Sequence, residues 1–384
     1  MIVILDSLLI TVSVASLLYT IYNILVTRYF FKQQTDENDE SFLPPVSILK
    51  ALKGMEDGLE DNLRSFCQLD YPEYEVIFCV EDEKDPAISV VKKVIAEYKN
   101  LPLRLITPCP RLGANPKISN LIYGLKQARH QIIVYNDSEV RVPRNYLRKF
   151  VPPLADERVG AVIGFPIYQG AQNWVAGLEA LTLNANIFSM LISPYLGNSL
   201  DAVIGATVAI RRKVLESCRL FEVAKDHVAD DGIIGKTLVQ NGYQIKLIKF
   251  VIPMIKYREK FREYFLRNLR WSRAIRIMKT KGYFILGSLM GSLYAFLYWV
   301  MHPTQRFALG LLLFLTLVRL IQIIYNNKKY VKNIIPWRYL WLVPIRDIFL
   351  SPVLWLLGAF GNTVWWRGIK YRIDRRGNMV MMSQ

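Results

Sequence analysis

Three short acidic runs stand out in this sequence: Cys79-Val80-Glu81-Asp82-Glu83, Tyr135-Asn136-Asp137-Ser138-Glu139 and Ala229-Asp230-Asp231-Gly232. Any one of them reads most simply as a turn or a helix cap, where Asp is favoured for structural reasons alone. Three together, each beside a strand end or a helix start, describe a site that binds a hard cation and moves a proton. Departure of the diphosphate of a nucleotide sugar needs a divalent cation between the phosphate oxygens and the protein, and such cations take carboxylate ligands. Asp137 and Glu139, two residues apart, could supply that ligation. Asp82 could hold the base or ribose of the nucleotide. An acceptor hydroxyl must lose its proton as it attacks the sugar carbon, which makes Asp231 the candidate general base and Asp230 the alternative.

A fourth cluster is cationic. Lys256–Lys281 carries ten Lys or Arg residues against two acids, Glu259 and Glu263, with aromatic and aliphatic residues interleaved. Most of it reads as an amphipathic helix lying on an anionic membrane surface. Arg267 and Arg270 are three apart and share a helix face. A guanidinium pair there could clamp the departing diphosphate while Trp271 packs against sugar or lipid.

The elements that must position these groups follow from periodicity. Val46–Leu49, Glu75–Val80, Leu103–Ile106, Gln131–Tyr135, Val159–Phe165, Ala202–Ile210 and Gln244–Ile248 are short, Val/Ile-rich and bounded by Pro, Gly or Asp, as strands are. Leu59–Gln68, Pro86–Tyr98, Lys117–Lys126 and Ile233–Asn241 read as helices. The alternation predicts an α/β domain over 44–255 with a mostly parallel sheet, whose ligands bind at the carboxyl ends of the strands. The four cysteines have no metal-ligand spacing and read as reduced, buried thiols, and three scattered histidines make no metal site.

The chain has 384 residues, 52% of them hydrophobic, with a net charge of +17. That balance predicts a water-facing domain joined to membrane spans. Leu8–Val26 is an uncharged span within an N-terminal anchor over 1–32. Arg28 and Lys32 follow it, which places the next domain in the cytosol; a cleaved signal peptide is the weaker reading. An acidic linker, Thr35–Ser41, comes next. Tyr283–Met301 and Phe307–Tyr325 read as a helical hairpin, with Arg319 either facing protein or snorkelling to the interface. Residues 283–366 as a whole are spans or re-entrant segments, because Ile334–Trp366 is broken by Pro336, Pro344, Pro352 and Arg346-Asp347. The basic tail 367–384 favours the cytosol. The charge lies beside apolar spans and no nucleic-acid module is visible, so nucleic acid is excluded as a partner.

The order Asp82, Asp137-Ser138, Asp230-Asp231, Arg267-x-x-Arg270-Trp271 resembles the D, D, D, (Q/R)xxRW pattern of processive and lipid-directed family 2 glycosyltransferases with a GT-A fold. Val46-Ser47-Ile48-Leu49-Lys50, Asp85-Pro86-Ala87-Ile88, Gly113–Leu121 and Asp137–Val142 are similar to the ceramide glucosyltransferase family and to the hopanoid-associated bacterial glycosyltransferases. The resemblance implies inverting transfer from a UDP-sugar to a lipid acceptor, with Mg2+ or Mn2+. It also implies donor contacts at Asp82, Asp137 and Lys117, a base at Asp231, and Arg270-Trp271 near the diphosphate and acceptor. The acceptor expected first is ceramide; a hopanoid or diacylglycerol is the alternative, and a nucleotide-sugar-binding scaffold without turnover is the rival of another class. One departure stands out: ceramide glucosyltransferases carry a histidine in the stretch matching Leu178–Phe188, and this chain has none there.

Overall fold

Tyr74–Val80 is buried at every position, and so is Ile132–Asn136, so each must lie inside a sheet covered on both faces. The computed structural model describes residues 2–33, 42–332 and 337–382. The Thr35–Ser41 linker and the break at Pro336 lie outside these described residues. Seven strands, β1 (Val46–Leu52), β2 (Tyr74–Val80), β3 (Leu103–Ile106), β4 (Ile132–Asn136), β5 (Val159–Gln169), β6 (Thr207–Arg211) and β7 (Gln244–Ile255), form one sheet in the order β3-β2-β1-β4-β6-β5-β7. All neighbours run parallel except β6, which is antiparallel to both β4 and β5. Helices such as Ala87–Glu97 cover it, burying Ala87, Ile88, Val90, Val91 and Val94.

The chain divides into two compact units. One holds the sheet and comprises 34–169, 194–256 and the C-terminal 377–384; the other comprises 1–33, 170–193 and 257–376. Three expected strands differ most in extent. The expected Ala202–Ile210 strand begins only at Thr207, because Gly205 leaves the sheet to pack against the start of the Asp230–Gln240 helix, and Gly235 of that helix sits on the backbone of Ala202. β5 and β7 run past their expected ends to Gln169 and Ile255, with a register shift between Ile163 and Phe165.

In the second unit, four helices among the described residues are long and apolar enough to cross a membrane: Ile2–Lys32, Trp174–Leu196, Arg306–Lys329 and Trp337–Ala359. The expected Tyr283–Met301 span is instead two helices, Thr280–Ser288 and Gly291–Met301, bent by 40°. Two glycines explain the bend: Gly287 packs directly on the Trp355 indole, and a Cβ on Gly291 would sit 2.5 Å from Ser16 Oγ. Arg319 does face protein: it reaches Asp347 at 3.3 Å, Gln322 at 2.5 Å and Asn186 at 2.5 Å. After Ala359 the chain forms a hairpin of Thr363–Trp366 and Ile369–Ile373.

Candidate active site

The carboxyl end of β4, the approach to β6 and the start of the Asp230–Gln240 helix converge on Lys117. Its helix, Pro116–Gln127, is well begun: Asn115 Oδ1 accepts from the Ile118 N–H at 3.2 Å, and Pro116 takes a first-turn position. Lys117 Nζ lies 2.7 Å from Asp137 Oδ1 and 3.7 Å from Asp230 Oδ2, and donates to Gly205 O at 3.3 Å. Gly205 has to be glycine-sized, because a Cβ would fall 2.5 Å from Lys117 Nζ and against Asp231 Oδ1. Asp230 and Asp231 are first-turn residues; the N-cap is Ala229, whose side chain offers no cap, so the carboxylates are not explained as caps.

Electrostatics mark this cluster. Burial works against the Lys117 ammonium, but Asp137, Asp230 and Asp231 hold it well above the usual lysine range. Burial pushes the Asp231 carboxyl up, Asp230 adds to the push, and Lys117 opposes it. Two oxygens here are buried and have no hydrogen-bond partner: Asp231 Oδ1 and the Tyr135 hydroxyl. Burial and Asp231 raise the Tyr135 phenol as well. Beneath the cluster, fully buried Lys50 donates to Asp137 O at 2.9 Å, and burial pushes its ammonium down to about 7 against the pull of Asp137 and Glu139.

The structure distributes the expected site residues unevenly. It brings Asp137, Lys117, Asp230 and Asp231 together. Glu139 does not join Asp137 in a shared cation site: Lys256 Nζ holds its carboxylate at 3.3 Å, and the Tyr168 hydroxyl donates to it at 3.0 Å. Lys256 itself closes β7 rather than opening the basic helix, which runs Phe261–Met278. Asp82 lies in a cleft with Glu81, Pro108, Pro110 and Arg111, its Oδ1 accepting from the Lys84 N–H at 2.9 Å. Arg267, Arg270 and Trp271 belong to the other unit. There Arg267 is held by Glu259 at 2.6 Å and Glu179 at 3.2 Å, and its guanidinium lies 6.0 Å from the Trp271 ring. Arg270 stacks on Trp366 at 4.7 Å. Arg273 and Arg276 donate to backbone carbonyls at Thr363, Ala359 and Gly361. Of the residues read as lying on a membrane surface, Arg273 and Arg276 thus have partners within the protein.

Lys50, Tyr135 and Gly205 are the site residues that motif reading missed. Lys50 follows the strand expected over Val46–Leu49, Tyr135 ends the one expected over Gln131–Tyr135, and Gly205 lies within the one expected over Ala202–Ile210, and none was assigned a role. The available signal was a lysine in an otherwise apolar run, Val46-Ser47-Ile48-Leu49-Lys50.

A divalent cation fits this donor set when a ligand completes it. The groups are hard oxygens, three carboxylates face one fully charged lysine, and an incoming diphosphate would add further negative charge. Among the described residues no three His, Cys, Asp or Glu side chains form a cage for an ion. One or two carboxylates with substrate phosphates is the arrangement Mg2+ uses.

Residues 8–379 match the profile of glycosyl transferase family 21. The chain is 24% identical over 374 residues to ceramide glucosyltransferase 1 of Caenorhabditis elegans, spanning 95% of this chain and 79% of that protein. It is 32% identical over 143 residues to a ceramide glucosyltransferase of Candida albicans, a match covering 33% of this chain and 26% of that one. Among solved structures, a mannosyltransferase from Pyrobaculum calidifontis in complex with GDP-Man and Mn2+ superposes with a TM-score of 0.56 at 17% identity, covering 92% of this chain and 97% of that one. At that identity the likeness speaks for the fold: the sheet is that of a GT-A glycosyltransferase. With its carboxylates gathered at the strand ends and the match running through nearly all its length, the chain belongs to glycosyl transferase family 21.

Proposed function

We propose that the protein transfers a sugar, glucose first among candidates, from a UDP-sugar to the hydroxyl of a membrane lipid with inversion at the sugar carbon. The carrying observation is the Lys117–Asp137–Asp230–Asp231 cluster with its unpartnered, buried Asp231 Oδ1. A carboxyl made more basic by burial is suited to take the acceptor proton near neutral pH. Lys117 holds Asp137 and Asp230 in place and offsets part of their charge. Gly205 leaves room for both the lysine and the base. Asp82 and its cleft take the uridine. Bound Mg2+ or Mn2+ would sit on Asp137 and the donor diphosphate and supply electrophilic stabilisation of the leaving group. Arg270 and Trp271, on the membrane unit, are assigned to the diphosphate and acceptor by resemblance.

Ceramide is the acceptor we favour, because the relatives matched are named as ceramide glucosyltransferases. A hopanoid or diacylglycerol acceptor is the second reading. The observation favouring it is Asn186, which stands in the stretch where the ceramide enzymes have histidine and hydrogen-bonds to Arg319 at 2.5 Å.

We also infer three crossings, from parity. Residues 170–193 leave the sheet unit after Gln169 and rejoin it at Pro194, so the Trp174–Leu196 helix does not cross. Lys256 and Gly377 likewise belong to one unit, so the chain between them crosses an even number of times. The bent 280–301 pair and Arg306–Lys329 supply two crossings, which leaves Trp337–Ala359 re-entrant. With Ile2–Lys32 the total is three. Arg28 and Lys32 beside the anchor put the sheet unit in the cytosol, at a bacterial inner membrane or its equivalent.

The deciding experiment incubates the purified protein with a panel of UDP-sugars and lipid acceptors and reads products by mass spectrometry. Hexosylceramide as the main product supports the first reading; a glycosylated hopanoid or diacylglycerol selects the second. Hydrolysis without any lipid product defeats both.

A further inference from the structure

The C-terminal strand reaches the loop that presents the acidic pair. Gly377 O accepts from the Val228 N–H at 2.9 Å, the Met379 N–H donates to Asp226 O at 2.7 Å, and His227 and Asn378 form an antiparallel bridge. His227 is 2% exposed and Met379 4% exposed, so the contact is buried. Gly377 has φ of +94°, and a Cβ there would strike His227 Nε2. From this strap, two chains of contacts run to the site. His227 Nδ1 accepts from the Ala229 N–H at 3.0 Å, and Ala229 caps the helix that opens with Asp230-Asp231. Asp226 Oδ1 accepts from the Ala114 N–H at 2.8 Å, and Lys225 O accepts from the Asn115 N–H at 2.7 Å. Asn115 caps the helix that carries Lys117.

We propose that the Gly377–Met381 segment, which ends in the strand Met379–Met381, is a positioning element of the active site, acting through His227 to fix the spacing between Lys117 and Asp231. The two helix starts meet across the Lys225–Ala229 loop, and the strand forms that loop's other wall. The loop's own apolar anchor is the single buried side chain of Val228, so removing the wall loosens both helix starts at once. This rests on the assignment of Asp231 and Lys117 above, and a misplacement of ~1 Å in such a cluster can cost ~10²-fold in rate.

The test compares the full chain in nanodiscs with a truncation ending at Arg376 and with Gly377→Ala, His227→Leu and His227→Asn. Hydrogen exchange is read first because it needs no knowledge of the substrates. In the truncation, amides of Asp226–Ile234 and Gly113–Ile118 are expected to exchange about tenfold faster or more, while β1 and β2 amides keep their protection. Turnover with the pair found by the product screen should fall about tenfold or more, with UDP affinity within about threefold, because the Asp82 cleft lies elsewhere on the sheet edge. His227→Leu and Gly377→Ala should resemble the truncation. His227→Asn, which still offers an acceptor to the Ala229 N–H, should recover much of the loss. Unchanged exchange in the truncation overturns the proposal whatever the substrates prove to be. Equal impairment of the Asn and Leu variants removes His227 from it. Faster exchange with unaltered turnover keeps the strap as structure only and overturns its role in the site.

Discussion

Two carboxylates, each with an enclosed oxygen, sit at opposite ends of the same sheet and are treated in opposite ways. At the amino end, Glu75 opens β2. It accepts from Ser47 Oγ at 2.6 Å, from the Arg129 N–H at 2.7 Å and from Arg104 at 2.5 Å, and it has no exposed side-chain surface. Burial works against its charge, yet these donors hold it below the usual carboxylate range. At the carboxyl end, Asp231 is half-buried, but its enclosed Oδ1 has no partner, and burial together with Asp230 drives its carboxyl up. The first end is satisfied and rigid. The second is left short of partners in a field of like charge, as expected where a ligand is to complete the set.

If this contrast is one of task, substitutions at the two ends should separate activity from stability. The largest effect is expected from Asp231→Asn. Loss of a general base costs ~10²–10⁴-fold in kcat, and the upper part of that range is expected here. The variant should fold, because an amide of the same shape relieves repulsion from Asp137 and Asp230. Turnover near wild type, with an intact thermal transition, would move the base to another residue.

Gly205→Ala comes next. The added methyl enters the space of Lys117 Nζ and Asp231 Oδ1, and a displacement of this size should lower kcat/KM by about 10²-fold. UDP binding at the Asp82 cleft should weaken less than kcat falls. Equal losses in both would mean that the residue shapes donor binding rather than the spacing of the cluster.

Glu75→Gln should act at the other end and in the other currency. It leaves Arg104 without its carboxylate and replaces charge-assisted hydrogen bonds with weaker ones, which should destabilise folding by about 2–3 kcal/mol. Turnover per folded molecule should stay within about twofold. A large loss of kcat with an unchanged melting temperature would break the comparison.

The two ends were also unequally legible in the sequence. Asp137, Asp230 and Asp231 announce themselves because function needs carboxylates where strands end, and strand ends can be read from Val/Ile runs. Glu75 could not be found that way. Its partners Ser47, Arg104 and Arg129 come from three separate parts of the chain, and only the parallel register Ser47↔Glu75 brings the first pair together. The same limit explains Glu139: spacing put it beside Asp137, but the close of β7 supplied Lys256 as a competing cation. It explains Arg267 too, since Glu179 lies 88 residues away on a helix whose apolar run gives no hint of a buried ion pair. The helical bend at Gly287 and Gly291 has a similar cause, being set by Trp355 and Ser16 rather than by any local breaker.

The smallest expected effect is the most diagnostic, because the two ends should respond to pH with opposite sign. Glu75 is depressed in the folded state, so above the unfolded pKa of about 4.3 its stabilising contribution is complete, and it is lost as pH falls through the folded value. The melting-temperature gap between wild type and Glu75→Gln should therefore be widest at neutral pH and close below about pH 4. Asp231 is raised, so between the unfolded pKa of about 3.9 and its folded value the native state holds a proton that the unfolded chain has released. Its stability cost grows as pH rises through that window. In chelator, Asp231→Asn should be more stable than wild type near neutral pH, by on the order of 1 kcal/mol, and indistinguishable from it near pH 4. Two gaps that close together, with Glu75→Gln below wild type and Asp231→Asn above it, would confirm that one sheet keeps a finished carboxylate at one end and an unfinished one at the other. Gaps of the same sign would show that Asp231 is an ordinary structural acid.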